Sequence, residues 1–255
     1  SEVDFLLHQE LRETSVYNSI IEAVALGSTR LNEISQKSLV EDTSKTSVYL
    51  KNLIELGIVE REFSVDTAVK EKANAGRGLY RLADNFFRFW YTFGYANYSQ
   101  LEDGDVDGVW TYVVEPILQE FAALPFEEIC REFIKEQQKK SLLPFRYQKM
   151  GRWCGKTTVR DTKTETGTTI AETKIDILVI GADRKEYMLG ECKFKKVPFS
   201  YSEYLDTLAK LASMKENATF YYSLFSASGF DEKIEKAAME DGKLRLYSLD
   251  TIVEG

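Results

Sequence analysis

Lys174-Ile175-Asp176-Ile177-Leu178-Val179-Ile180, Gly181-Ala182-Asp183-Arg184-Lys185 and Tyr187-Met188-Leu189-Gly190-Glu191-Cys192-Lys193-Phe194 together decide the fold of the C-terminal half. The first piece is rich in β-branched residues and holds one aspartate. The second is a polar turn, and the third reads as the antiparallel partner of the first. Side chains two apart on a strand share a face, so Glu191 and Lys193 project together. Asp176 stands near the start of one strand and Glu191 near the end of the next, so the hairpin sets them side by side. Two carboxylates buried together are costly unless a cation or a lysine neutralises them. Asp176, Glu191 and the backbone carbonyl of Cys192 supply hard oxygen ligands suited to Mg²⁺ or Mn²⁺. Lys193 is placed to act on an attacking water or on the charge of a phosphate. The set therefore suits metal-dependent phosphodiester hydrolysis. The competing reading, an exposed hairpin with an ordinary Glu/Lys pair, is at odds with the apolar run before Glu191.

Upstream, Pro125-Phe126-Glu127-Glu128-Ile129-Cys130-Arg131-Glu132-Phe133-Ile134 predicts a helix that starts at Pro125, where proline is tolerated in the first turn. Phe126, Ile129, Cys130, Phe133 and Ile134 are expected on one apolar stripe. At about 100° per residue Glu127 flanks that stripe and Glu128 points away, so Glu127 is the better candidate to hold a metal or its water from the helix side. Downstream, residues 201–214 predict an amphipathic helix through Tyr204, Leu205, Leu208 and Leu211. Thr219–Phe225 predicts a buried strand, residues 231–240 a helix and Leu244–Leu249 a closing strand. Lys195 and Lys196 line a phosphate path in this reading or, equally, are a solvated strand end.

The N-terminal part has a different grammar. Residues 17–26 predict a helix stopped at Gly27, residues 29–36 a second helix, and Asp42-Thr43-Ser44 caps a third over 45–56, stopped at Gly57. Ile58–Phe63 and Gly78–Leu82 alternate like a hairpin around a polar loop. The order resembles a winged helix-turn-helix, most clearly at Tyr49-Leu50-Lys51-Asn52-Leu53-Ile54-Glu55-Leu56-Gly57-Ile58-Val59. One reading makes it a DNA binder, with Lys45 and Lys51 on the recognition helix and Lys70, Lys72 and Arg77 on the wing. The other packs the wing against protein. Residues 1–84 hold ten Lys/Arg against fourteen Asp/Glu, the opposite balance from most duplex readers. The aromatic run Asn85-Phe86-Phe87-Arg88-Phe89-Trp90-Tyr91-Thr92-Phe93 reads as a helix packing two domains together rather than a base-stacking platform. Glu102–Gly108 has calcium-loop acidity but lacks the glycine position and closing glutamate of an EF-hand, and is expected to be a solvated turn.

Composition narrows the chemistry further. The chain has 255 residues, net charge −8, one histidine (His8) and three cysteines. Serine or cysteine triads and multi-histidine zinc sites are excluded for want of imidazoles, unless His8 serves alone. Cys130, Cys154 and Cys192 are odd in number and far apart, which argues against a disulfide framework and for a reducing cytoplasm. No stretch is long and apolar enough for a membrane span, so no membrane partner is expected.

Phe126-Glu127, Gly151-Arg152-Trp153, Lys174–Ile177, Gly190-Glu191-Cys192-Lys193-Phe194 and Ser226-Ala227-Ser228-Gly229-Phe230 together resemble the C-terminal domain of the archaeal and bacterial ATPases of the DUF234 family. That domain is similar to the PD-(D/E)XK nucleases. Asp4-Phe5-Leu6-Leu7-His8-Gln9-Glu10-Leu11-Arg12 and the winged helix resemble the part that follows the P-loop module in that family. The resemblance implies a C-terminal fragment of a larger ATPase whose N-terminal ATPase module would be a partner. Gly151-Arg152-Trp153-Cys154-Gly155-Lys156-Thr157 is a residue short of a Walker A loop, so no ATP site is expected here. Cys154 departs from the aromatic that the family often shows at that position. The expected architecture is α+β: a winged helix-turn-helix over 1–84, an aromatic connection over 85–109, and a restriction-endonuclease-like α/β domain with a mixed, helix-flanked sheet over 110–255. Duplex DNA is a candidate partner; a homo-oligomer stays open, as does a purely regulatory role.

Overall fold

The computed structural model describes residues 14–40, 42–74, 77–160, 168–211 and 218–254; the Asp4–Arg12 stretch and His8 lie outside them. The chain divides into two compact units. The first takes in the described residues through Phe63 together with Thr67–Ile117; the second comprises Ser64–Asp66 and the described residues from Leu118 onward.

In the first unit three helices, α1 (Thr14–Ala25), α2 (Leu31–Lys37) and α3 (Thr43–Glu55), precede the antiparallel hairpin β1 (Val59–Glu62) and β2 (Leu79–Leu82). Ile20, Ile21 and Val24 recur at helical spacing and are buried with Ile34, Leu50, Leu53, Val59 and Tyr80. Asp42 caps α3 by accepting from the Ser44 N–H at 2.7 Å. Gly27 (φ 96°) and Gly57 (φ 71°) end α1 and α3 in the left-handed region that favours glycine. The aromatic run begins as α4 (Asn85–Phe89), capped by Asp84, and continues as a π-helical turn over Trp90–Gly94. Tyr91 is buried in this unit's core and donates its hydroxyl to Asn18 Oδ1 at 2.7 Å. The short helices α5 (Tyr98–Glu102) and α6 (Val106–Val109) follow, and the acidic turn between them places Asp105 as the cap of α6, accepting from the Gly108 N–H at 3.1 Å.

The second unit is a five-stranded mixed sheet flanked by helices. The long helix α7 (Leu118–Lys139) leads into β3 (Tyr147–Arg160), β4 (Thr168–Gly181) and β5 (Glu186–Lys193), in which each neighbouring pair is antiparallel. After α8 (Tyr201–Leu211), β6 (Thr219–Ser226) pairs parallel with β5. After α9 (Glu232–Glu240), β7 (Leu244–Ser248) pairs parallel with β6, and α10 (Leu249–Glu254) ends the described chain. The strand order is β3-β4-β5-β6-β7. Phe126, Cys130, Phe133 and Ile134 of α7 pack on Ile177, Val179, Met188 and Phe225 with Ile252 of α10. Tyr204 of α8 and Ile234 of α9 pack with Leu224 and Leu244 on the other face. Among the described residues no helix is long and apolar enough to cross a membrane.

Three local expectations are corrected. α7 begins at Leu118, and Pro125 lies inside it rather than in its first turn. An interior proline forgoes a backbone N–H and disfavours a helix by about 3 kcal/mol, so the burial of Phe126, Cys130, Phe133, Ile134 and Gln137 carries the helix through it. The buried arc also turns away from Ile129, which is 49% exposed. On α8 the inward positions are Tyr204 and Thr207, while Leu205 is 47% exposed.

Candidate functional site

The site forms where two strands part. β4 and β5 are laddered from Ile180↔Tyr187 to Ile177↔Gly190, and there the pairing stops. Beyond that point β4 stays paired with β3, while β5 continues beside β6 through Glu191↔Leu224, Cys192↔Phe225 and Lys193↔Ser226. Asp176 lies in the crotch of this fork, and its Oδ2 accepts from the Cys192 N–H at 3.0 Å. The N–H and C=O of a strand residue point to the same side, so the Cys192 carbonyl is directed toward Asp176 as well. Gly190 permits the close approach at the fork: a Cβ there would stand 2.9 Å from the Ile177 Cβ.

Glu191 is buried (5% exposed) and its Oε1 accepts from Lys193 Nζ at 2.9 Å. Burial works against the charge of Lys193, but Glu191, Asp176 and Glu203 outweigh it and hold the lysine above its ordinary pKa. The Cys192 thiol is pushed well up by burial, then by Cys130, Asp176 and Glu127. The hairpin thus brings Asp176, Glu191, Cys192 and Lys193 together.

Glu127 is placed differently. It is mostly buried on the flank of α7, and its Oε2 accepts from the Arg152 guanidinium on β3, with Arg131 at 3.8 Å on the same oxygen. Among the described residues no three His, Cys, Asp or Glu side chains are grouped to hold one ion. Arg131 sits four residues beyond Glu127, a spacing at which helix side chains meet, so that pairing was visible in the sequence. The approach of Arg152 was not, because it depends on how β3 lies against α7.

Lys195 reaches Glu203 at 2.5 Å, while Lys196 is exposed. Glu203 closes a capping box with Ser200, whose N–H donates to Glu203 Oε2 at 2.8 Å. The S-x-x-E spacing of residues 200–203 carries that signal in the sequence. Burial raises the Glu203 pKa, but Lys195 and the Ser200 donors outweigh it, so the carboxyl stays below its ordinary value.

In the first unit Lys45 and Lys51 are exposed on α3, and Lys51 lies 3.7 Å from Glu55. Lys45 also lines a hollow of about 280 Å³ with Ser15, Ser19, Leu39 and Tyr49. In the loop between β1 and β2, Lys70 is exposed, Lys72 lies over the Phe63 ring at 5.4 Å, and Arg77 stands 3.9 Å from Glu71. Arg61 holds the loop by donating to the carbonyls of Lys72 (3.2 Å), Asn74 (2.5 Å) and Arg77.

Residues 90–206 match the DUF234 family, described as "Archaea bacterial proteins of unknown function". An uncharacterised protein of Methanocaldococcus jannaschii is 36% identical over 152 residues, 60% of this chain and 33% of the relative. The match thus takes in about a third of that relative's length. Among solved structures, the protein of unknown function AF1548 is similar with a TM-score of 0.35 at 15% identity, over 52% of this chain and 65% of that one. A repair endonuclease from Pyrococcus abyssi gives 0.24 at 17% identity, over 48% of this chain and 46% of that one. Protein VC1899 from Vibrio cholerae gives 0.32 at 14% identity, over 98% of this chain and 53% of that one.

Proposed function

We propose that the second unit is a metal-dependent phosphodiester hydrolase domain of the PD-(D/E)XK nuclease type, and that the first is a winged helix-turn-helix for nucleic-acid or protein binding. Both would serve a P-loop ATPase module in the cytoplasm. The observation that carries this reading is the meeting of Asp176, Glu191 and Lys193 in the fork of β4 and β5.

The donor chemistry fits a hard divalent ion. Magnesium is commonly bound through one or two carboxylates and keeps several waters, and Asp176, Glu191 and the Cys192 carbonyl offer that kind of set. Glu127, already matched by Arg152 and Arg131, is assigned to support from the helix side. A bound Mg²⁺ or Mn²⁺ would polarise a phosphate oxygen and lower the pKa of a bound water. The chain's own part is positional. Asp176 holds the Cys192 backbone, Lys193 donates to the buried Glu191 carboxylate, and its ammonium is set where charge grows on the phosphate.

Titration calorimetry of Mg²⁺ and Mn²⁺ against wild type and Asp176→Ala tests the reading. Binding by wild type that disappears in the variant is the expected result. Metal-dependent DNA cleavage that survives a combined Glu191→Ala and Lys193→Ala change would sink it.

A second reading, a non-catalytic regulatory or protein-interaction module, is favoured by one observation: Glu127 and Glu191 are each matched by a cation of the chain itself. Such clusters also occur as purely structural ion pairs. This reading predicts no metal binding and a stable complex with the ATPase module.

A further inference from the structure

The strands that part at the site do not end there. From Cys154↔Lys174 to Arg160↔Thr168, β3 and β4 remain in register with each other, whereas β5 pairs with β4 only over Ile177–Ile180. At about 3.3 Å per residue this two-stranded ribbon reaches about 20 Å beyond the pairing of the central sheet. It leaves the sheet at the end that holds Asp176, so the site lies at its root.

Its composition departs from that of the chain. Across residues 154–160 and 168–174 the charged residues are Lys156, Arg160 and Lys174 against Glu172, in a protein of net charge −8. Lys156 and Lys174 are exposed. The remaining positions are mostly threonine and small residues.

We infer that this ribbon is an arm that lies along duplex DNA and presents its backbone to the site. An antiparallel ribbon has the width to enter the major groove of B-form DNA, whereas the major groove of duplex RNA is too deep and narrow to admit one. Exposed Lys156 and Lys174 neutralise phosphates, the sequence-independent part of DNA affinity. The plainer explanation is that the lysines only protect exposed strand edges from self-pairing. The inference rests on the hydrolase reading for its substrate class, but its test is separate.

The test is fluorescence anisotropy of a labelled DNA duplex, across a salt series with Ca²⁺ in place of Mg²⁺, for wild type, Lys156→Gln/Lys174→Gln and Asp176→Ala. Circular dichroism and thermal melts check that the variants fold. The double variant is expected to bind on the order of tenfold more weakly, with a log K versus log salt slope shallower by about 2. Its Mg²⁺ titration is expected to match that of wild type. Wild-type affinity and slope in a folded double variant would overturn the arm and leave the hydrolase reading standing. Equal loss on duplex RNA or single strands would overturn the assignment to duplex DNA. No duplex binding by wild type would overturn the arm, while loss of metal binding in Asp176→Ala would still uphold the site.

Discussion

An exposed ion pair of the first unit and two buried ones of the second are built on different terms. On α3 of the first unit, Lys51 and Glu55 are a helix-spaced pair with side chains 76% and 63% exposed. In the second unit, Arg152 and Glu127 are 10% and 14% exposed, and the Glu191 side chain opposite Lys193 is only 6% exposed. A pair in water gains little, because each partner is already well solvated. A buried pair is a commitment: losing one member strands the other in a medium that will not solvate it. Buried charges grouped in one place are therefore the better pointer to function, and the first unit's scattered cations the weaker one.

The comparison can be broken at its strongest point. Arg152→Ala removes a buried cation from Glu127 and is expected to destabilise the second unit by about 3 kcal/mol, the lower end for a broken buried pair. Urea denaturation measures this; a change under about 1 kcal/mol would place the pair with the exposed ones. Next comes Lys193→Met, expected to lower stability by about 2 kcal/mol because buried Glu191 loses the hydrogen bond from the Lys193 ammonium. If the hydrolase reading holds, turnover should also fall by at least about a hundredfold.

Glu203 is intermediate. Its folded pKa lies below the ordinary carboxylate value, so its contribution is present above that ordinary value and is lost as pH falls through the folded one. Glu203→Gln should therefore cost under about 1 kcal/mol near neutral pH, and the gap from wild type should close in acid below the ordinary glutamate range. A gap that widened on acidification would contradict the assignment. At the bottom of the scale, Lys51→Ala should change the melting free energy by less than about 0.5 kcal/mol, and high salt should erase what difference there is.

The second unit's hairpin was legible because its signal is local. Alternation, β-branched content and a short polar turn make β4 and β5 nearly self-evident, and a period of two then puts Glu191 and Lys193 on one face. The helix positions were less legible. Ile129 and Leu205 satisfy a helical period yet are exposed, because a period gives the spacing of a stripe but not the angle at which a neighbour covers it. Pro125 was read as a start because local propensity favours it there, and tertiary packing overrode that preference. Lys195 was read as lining a phosphate path or as part of a solvated strand end, but the capping-box glutamate eight residues on takes it up.

By itself, the sequence determined the hairpin that bears the acidic and basic groups, the main helices and strands read around it, and the exclusion of multi-histidine chemistry, since these follow from short-range periodicity and residue inventory; β3 (Tyr147–Arg160) was not read from it. Only the tertiary structure decided that β4 and β5 part at Asp176, that Arg152 meets Glu127, and that a basic ribbon springs from the site. Each of those depends on residues far apart in the chain being brought together by the packing of a sheet against helices, which no local pattern encodes.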